Sequence, residues 1–544
     1  MLGGEMDRRT VLRGGLLGVG GIAAGGLLGC APMPSVPMPP VPTPDDLGPW
    51  DCGVASGVHA PGAVVLWTRF APAVAAGAVD LRWEAAADPA FDRVVAAGTA
   101  AASSGADGCV KVLVEGLEPG ATLWYRFSAD GLISPVGRTR TLPADGASPS
   151  TVRLAVASCQ SYVSGFYPAW RAIAAEDLDA VVFLGDYIYE GASGAGPLNV
   201  RVDPEAATDL ASYRAKYRRY RSDVDLRAAH AAHPFAPVWD DHEFVNNCNR
   251  LTNLEFPERA AAAYRAWFEY QPVWRIDGDR IHRRARWGNL VDLSLLDTRQ
   301  YRDPQVTGPD GRAIVLGSTV DEPLRQVHAA GRTILGDAQR DWFLDGLGAA
   351  QRDGVRWKLV GNQVMISPIR IVDLDEPSLR ALRPDLPEHA GLYANLDDWS
   401  GYMTERDMVT EHLSRERISN VGFLTGDIHS FWQSKVQADF DAPFSPAVAQ
   451  EFVCGSVSSR GLDFVGDLAG PLGESIKQLR PGFRYVDLAR RGFGLVECTP
   501  ASMSVEYRTV NALTPNRASR SALPRRRVRF DWPAGTQAVT LTRG

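Results

Sequence analysis

At 544 residues the chain is too long for one ordinary domain, so two or more folding units are expected. Hydrophobic residues make up 45% and charged residues 22%, a globular composition with ample material for a core. The formal net charge of -7 argues against non-specific nucleic-acid binding, and no stable nucleic-acid partner is expected, although a local basic pocket stays open.

Residues 1–29 read as a targeting segment. Asp7-Arg8-Arg9-Thr10-Val11-Leu12-Arg13 resembles a twin-arginine export signal. The apolar stretch after it, Gly14 to Gly29, is glycine-rich and shorter than the roughly 20 residues a membrane span requires. Leu27-Leu28-Gly29-Cys30 resembles a lipobox, in which the cysteine is lipidated. Residues 30–49 then form a Pro-rich linker, a semi-extended tether. The expectation is a protein exported by the twin-arginine machinery to the periplasm or cell surface and held to the membrane through a lipid on Cys30. The alternative is a plain signal peptide cleaved nearby.

From 50 to 143 short β-like runs alternate with Gly, Pro and Asp. Ala63–Thr68, Leu81–Glu84, Val110–Val114 and Leu123–Phe127 are examples. Their spacing predicts an N-terminal fibronectin- or immunoglobulin-like β-sandwich. Cys52 and Cys109 both fall in this unit and could pair in an oxidising compartment.

After a linker at Ala144–Ser150 the rhythm becomes strand, loop, helix, and residues 150–512 are expected to form a layered α/β catalytic domain. Val152–Ala157, Ala180–Leu184, Leu290–Leu296, Trp357–Val360 and Val421–Leu424 read as strands. Tyr167–Glu176, Ala211–Ala229 and Pro257–Tyr270 read as helices. The basic residues between Arg214 and Arg221 read as a solvated helix face. Residues 513–544, with Arg520 and Arg525-Arg526-Arg527, read as a solvated basic tail.

The polar clusters have a common position. Ser158-Cys159-Gln160, Gly185-Asp186-Tyr187-Ile188-Tyr189-Glu190, Asp240-Asp241-His242-Glu243 with Asn246, Gly361-Asn362-Gln363 and Gly426-Asp427-Ile428-His429 each follow an apolar strand. Loops at the carboxyl ends of buried strands converge on one rim, where α/β folds place their sites. Carboxylates and a phenolate are hard donors, imidazole is intermediate and a thiolate is soft. A shared carboxylate such as Asp186 suits a bridge between two ions.

Gly185-Asp186-x-x-Tyr189, Asp241-His242-Glu243 and Gly426-Asp427-x-His429 resemble the metallophosphoesterase blocks GDxxY, GNHE and GHxH, with Asp replacing Asn in the second and His in the third. With Ala157-Ser158-Cys159-Gln160 and Leu184–Glu190, the pattern resembles the PhoD-like alkaline phosphatases from about Trp50 to residue 512. The resemblance implies a metallophosphoesterase-type α/β sandwich and hydrolysis of phosphate monoesters, diesters or both. It implies one Fe3+ held by Cys159, Asp186, Tyr189 and His429. It also implies one or two Ca2+ held by Asp186, Asp427 and some of Asp241, Asn246 and Asn362. A metal-bound hydroxide would attack phosphorus in line, with His242, and Asp241 beside it, as catalytic residues.

Each residue alone has an ordinary reading: Asp186 and Asp427 as caps, Asn246 and Asn362 as turn residues, Cys159 and Tyr189 as core, His242 as a satisfied histidine. It is their concurrence at strand ends that points to a metal site. Arg299 in Asp297-Thr298-Arg299 is either a salt-bridged strand end or a phosphate-reaching arginine. Two alternatives remain. One is a phospholipase D-like or teichoic-acid phosphodiesterase. The other is a surface binding protein with a degenerate metal domain.

Overall fold

The computed structural model describes residues 48–512 and 526–544, apart from 195, 197–198, 309, 315–316, 321, 375, 383, 387, 443–444 and 481. The export segment, Cys30 and most of the Pro-rich linker lie outside the described residues. No helix among the described residues is long and apolar enough to cross a membrane.

Two large sheets form the centre. The first has ten strands: Thr540–Arg543, Arg526–Pro533, Ser502–Val510, Arg491–Cys498, Val152–Ala157, Ala180–Leu184, Pro234–Val238, Val54–Ala60, Ala63–Arg69 and Cys109–Val114, in that spatial order. The second has seven: Arg283–Trp287, Val291–Leu295, Trp357–Asn362, Val421–Thr425, Ala447–Val453, Phe431–Gln437 and Phe483–Asp487. The central strands of both are parallel, with register Val182↔Val156 and Val182↔Ala236 in one, Val360↔Ser294 and Val360↔Phe423 in the other. These runs, such as Ala180–Leu184, are wholly buried, as parallel strands covered on both faces must be.

The sheets pack face to face. A Cβ on Gly361 would meet Leu295, Leu184 and Val182, and the Trp357 and Trp532 rings cross at 5.1 Å. Helices Pro168–Ala174, Leu210–Arg221, Val224–Ala232 and Pro257–Tyr270 contribute to the core of the first sheet. Asp337–Arg352 and Met403–Arg415 contribute to the core of the second. The single long helix expected over Ala211–Ala229 is two, because Asp223 caps the second through the Asp225 and Leu226 N–H groups.

The N-terminal sandwich is present, but its two layers differ in kind. One is a five-stranded sheet containing Val94–Ser103, Ala78–Ala86 and Thr122–Ala129. The other is the edge of the ten-stranded sheet, since Val54–Ala60 pairs parallel with Pro234–Val238 (Ser56↔Pro234). Sandwich and catalytic unit therefore share a sheet. Cys52, in the turn before Val54–Ala60, and Cys109, at the start of Cys109–Val114, are free buried thiols.

The C-terminal segment corrects the sequence reading. Arg526–Pro533 is a strand paired antiparallel to Ser502–Val510, and Thr540–Arg543 pairs onto it. Val528, Phe530 and Trp532 alternate inward while Arg527, Arg529 and Asp531 point outward. The basic run masked a period-two strand.

Candidate metal centre

The loops after the parallel strands of both sheets meet at one rim, as their common direction requires. Ligand atoms of Cys159, Asp186 and His429 lie within 4.8 Å of one another, as do those of Asp186, Asp241 and His242, and those of Asp240, Asp241 and Asp427. Asp186 belongs to the first two groups and Asp241 to the last two, so three pockets form one chain of donors. Tyr189 joins the first: its Oη donates to Asp186 Oδ2 at 2.8 Å and lies 3.1 Å from His429 Nε2.

The backbone at these residues is unusual. Cys159 (φ 58°), Asp186 (φ 58°), Asp427 (φ 59°) and His429 (φ 56°) all adopt the left-handed conformation. Each costs about 1–3 kcal/mol, a strain that persists only where the surroundings enforce it. Gly185 makes the Asp186 turn possible, since a Cβ there would sit 2.5 Å from Asp240.

Glu243 holds the Gly185–Glu190 loop to its own loop, Asp240–Glu243. Its carboxylate accepts from the N–H groups of Asp186 (2.9 Å), Tyr187 (2.6 Å) and Asp240 (2.9 Å). Burial, then the charge of Asp186, pushes it up to about 8 against those three donors. Ser459 Oγ lies 2.7 Å from the Tyr189 hydroxyl and donates to the Cys159 carbonyl.

Tautomers follow from the partners. His429 Nδ1 faces the Arg460 carbonyl at 2.9 Å, which can only accept, so Nδ1 carries the proton and Nε2 presents its lone pair to the cluster. His242 Nδ1 lies 2.7 Å from Glu190 Oε2. Burial alone would lower His242, but the charges of Asp241, Asp186 and Glu190 hold it well above the ordinary histidine range, as an imidazolium. Burial pushes up the Cys159 thiol and the Tyr189 phenol, and Asp186 adds to both. Burial also raises Asp427, to about 6, despite Arg299.

Arg299, with 1% exposure, ends the ambiguity left by the sequence: it is enclosed by carboxylates and does not reach outward. It pairs with Asp240, with Asp427 at 3.1 Å, Asp397 at 3.2 Å and Asp241 at 3.8 Å. The Asp241 carboxylate is held well below the usual range, where Arg299 and His242 outweigh burial.

Seven of the predicted site residues (Cys159, Asp186, Tyr189, Asp241, His242, Asp427 and His429) are brought together directly. Asn362 is buried at its strand end, its Oδ1 accepting from the Trp399 indole at 3.2 Å and its Nδ2 donating to the Val364 carbonyl. Asn246 is exposed and meets the site through its backbone N–H, which donates to Glu190 at 3.0 Å; the neighbouring Asn247 N–H donates to Asp241 at 2.6 Å. Sequence reasoning gave no role to Asp240, Glu190, Glu243 or Ser459. The first three stood inside the polar clusters at the strand ends, whereas Ser459 had no local mark.

The donor set suits bound cations. Asp186 Oδ1, Asp240 Oδ2 and Asp241 Oδ1 are buried and without a hydrogen-bond partner among the described residues, a costly state that a cation would relieve.

Fold and site define a metallophosphoesterase-type hydrolase. The PhoD-like phosphatase profile matches residues 154–507, and its N-terminal domain matches residues 42–143. Alkaline phosphatase D of Bacillus subtilis (strain 168) is 34% identical over 491 residues, 86% of this chain and 78% of that protein. A solved structure of PhoD superposes with a TM-score of 0.77 at 31% identity, covering 91% of this chain and 92% of that one. The chain belongs to the PhoD-like phosphatase family and is a phosphoric ester hydrolase of that kind.

Proposed function

We propose that the protein is exported and hydrolyses phosphate monoesters, diesters or both in a metal-dependent reaction. The observation that carries this is the chain of donors linked through Asp186 and Asp241, with three orphaned carboxylate oxygens. Cys159, Asp186, Tyr189 and His429 would hold Fe3+, since thiolate and phenolate suit a ferric ion. Asp186, Asp241 and Asp427 would hold one or two Ca2+, with Asn246 and Asn362 completing the set. Asn362 Oδ1 keeps a second lone pair while it accepts from Trp399. Bound cations supply Lewis-acid polarisation of the phosphoryl oxygens and lower the pKa of water.

The chain's own residues do the rest. Glu190 fixes the His242 ring from the Nδ1 side, which leaves the Nε2 proton for the departing alkoxide oxygen. The 4.2 Å contact of the His242 and Tyr189 rings limits that ring further. Arg299 offsets the mutual repulsion of Asp240, Asp241, Asp397 and Asp427 before any cation arrives.

The test is hydrolysis of paired chromogenic monoester and diester substrates by purified, metal-loaded protein, with Asp186→Ala as control. Calcium-dependent activity that vanishes in the variant supports the reading, and the ratio of rates separates phosphatase from diesterase. Protein containing iron and calcium but no more active than the variant refutes it. Fractionation of cells expressing the full chain with Arg8→Lys/Arg9→Lys or Cys30→Ser tests export and lipid anchoring separately.

A further inference from the structure

The basic residues of the Leu210–Arg221 helix are not a solvated face. Arg214 pairs with Glu269 at 2.7 Å and donates to the Gly105 carbonyl at 2.5 Å. Arg218 pairs with Asp107. Arg221, fully buried, lies 4.0 Å over the Trp67 ring and donates to the Tyr270 carbonyl at 2.7 Å. Gly105, Asp107 and Trp67 all belong to the N-terminal sandwich. Asp107 also accepts from Arg69 and from the Tyr270 hydroxyl, while the Trp67 indole donates to the Glu269 carbonyl at 2.7 Å. Residues 214, 218 and 221, three and four apart, therefore form one stripe gripping the sandwich.

The neighbouring stripe grips the metal-centre loops. Tyr213 Oη donates to the Phe244 carbonyl at 2.5 Å, just past Glu243. Tyr217 stacks on Tyr187, the residue after Asp186, with ring centroids 5.9 Å apart. The Tyr189 N–H donates to Tyr220 Oη at 3.1 Å. Lys216 Nζ donates to the Gly191 carbonyl at 2.7 Å, closing the far side of the loop. Tyr213, Tyr217, Tyr220 and Lys216 are all buried.

We propose that this helix is a strut through which the N-terminal sandwich positions the Asp186–Glu190 loop, with Tyr217 and Tyr220 as positioning residues for Asp186 and Tyr189. The sandwich is on this account part of the active-site scaffold and not an independent adhesive module. A rigid grip matters because about 1 Å of misplacement at a catalytic group can cost two orders of magnitude in rate. The proposal rests on the phosphoesterase reading only for its kinetic assay.

The experiment compares Asp107→Ala and Tyr220→Phe with Leu123→Ala, which opens the sandwich core without touching the strut. Hydrogen exchange across residues 186–191 is followed by mass spectrometry, alongside kcat and KM on a chromogenic ester. Asp107→Ala and Tyr220→Phe are expected to speed exchange in that loop and to lower kcat about tenfold with KM within about twofold. Leu123→Ala should lower Tm at least as much as Asp107→Ala while leaving loop exchange and kcat near wild type. Destabilisation by Asp107→Ala without faster loop exchange would overturn the strut, as would an equal loop response to Leu123→Ala. If Asp107→Ala does not fold, Arg218→Met releases the same clamp from the catalytic side and is held to the same criteria. Inactive wild-type protein would count against the phosphoesterase reading, while the exchange result would still decide the strut.

Discussion

Replacing Glu243 by Gln isolates the residue that ties the Asp186 loop to the Asp240 loop. Two N–H donors, from Asp186 and Asp240, meet Oε2, and the Tyr187 N–H meets Oε1. An amide supplies only one acceptor oxygen. If it serves the pair, its NH2 faces the Tyr187 N–H and leaves that donor buried and unsatisfied, at a cost of about 1–3 kcal/mol. Above pH about 8, where Glu243 is ionised, the two surviving bonds also lose charge assistance, which roughly doubles such bonds, and this adds about 1 kcal/mol. The expected loss is about 2–4 kcal/mol, read from urea unfolding of metal-free protein at about pH 9, together with weaker metal retention on dialysis. The volume hardly changes, so packing does not contribute. A Glu243→Gln protein that unfolds within about 0.5 kcal/mol of wild type and keeps its full metal complement would refute the assignment of Glu243 as the tie.

His242→Asn should lower kcat about a hundredfold for esters with alkoxide leaving groups and far less for nitrophenolate esters, with metal content by elemental analysis unchanged. Chelation should lower the thermal midpoint, because the crowded carboxylates of Asp186, Asp240, Asp241, Asp397 and Asp427 then repel one another with partial compensation from Arg299, Arg302 and His242, and added calcium should restore it. An unshifted midpoint in protein shown to be metal-free would count against cation binding there. Away from the site, burial pushes His233 down to about 4, its Nε2 3.0 Å from the Ile173 carbonyl. Above pH 6.5 this histidine is neutral whether folded or not; as pH falls from 6.5 toward 4 only the unfolded chain takes up the proton, so stability declines by up to about 3 kcal/mol. His233→Gln should flatten that part of the stability profile, and an unchanged slope would assign the pH dependence elsewhere.

Much of the site was legible because a buried strand and the polar loop at its end are both written in neighbouring residues. Val181-Val182-Phe183-Leu184 before Gly185-Asp186 fixes both a buried parallel strand and a polar loop at its carboxyl end. That logic brought Cys159, Asp186, Tyr189, Asp241, His242, Asp427 and His429 to one rim without any coordinates. Asn362 was placed at the right strand end, but the direction of its amide depends on Trp399, thirty-seven residues away in sequence.

Beyond the reach of the sequence were the partners of groups whose role is set by long-range contact. The arginines of the Leu210–Arg221 helix have the pattern of a wet face; only the docking of the sandwich turns them inward to Asp107, Gly105 and Trp67. Arg299 could have faced substrate until Asp240, Asp397 and Asp427 closed around it. Val528, Phe530 and Trp532 sat among arginines that suggested a tail, and became a strand through pairing with Ser502–Val510. Local pattern determines which residues must be buried and where a strand must end. Which charge meets which, and which edge a strand joins, is decided when segments distant in sequence are packed together, because those free energies belong to pairs and not to residues.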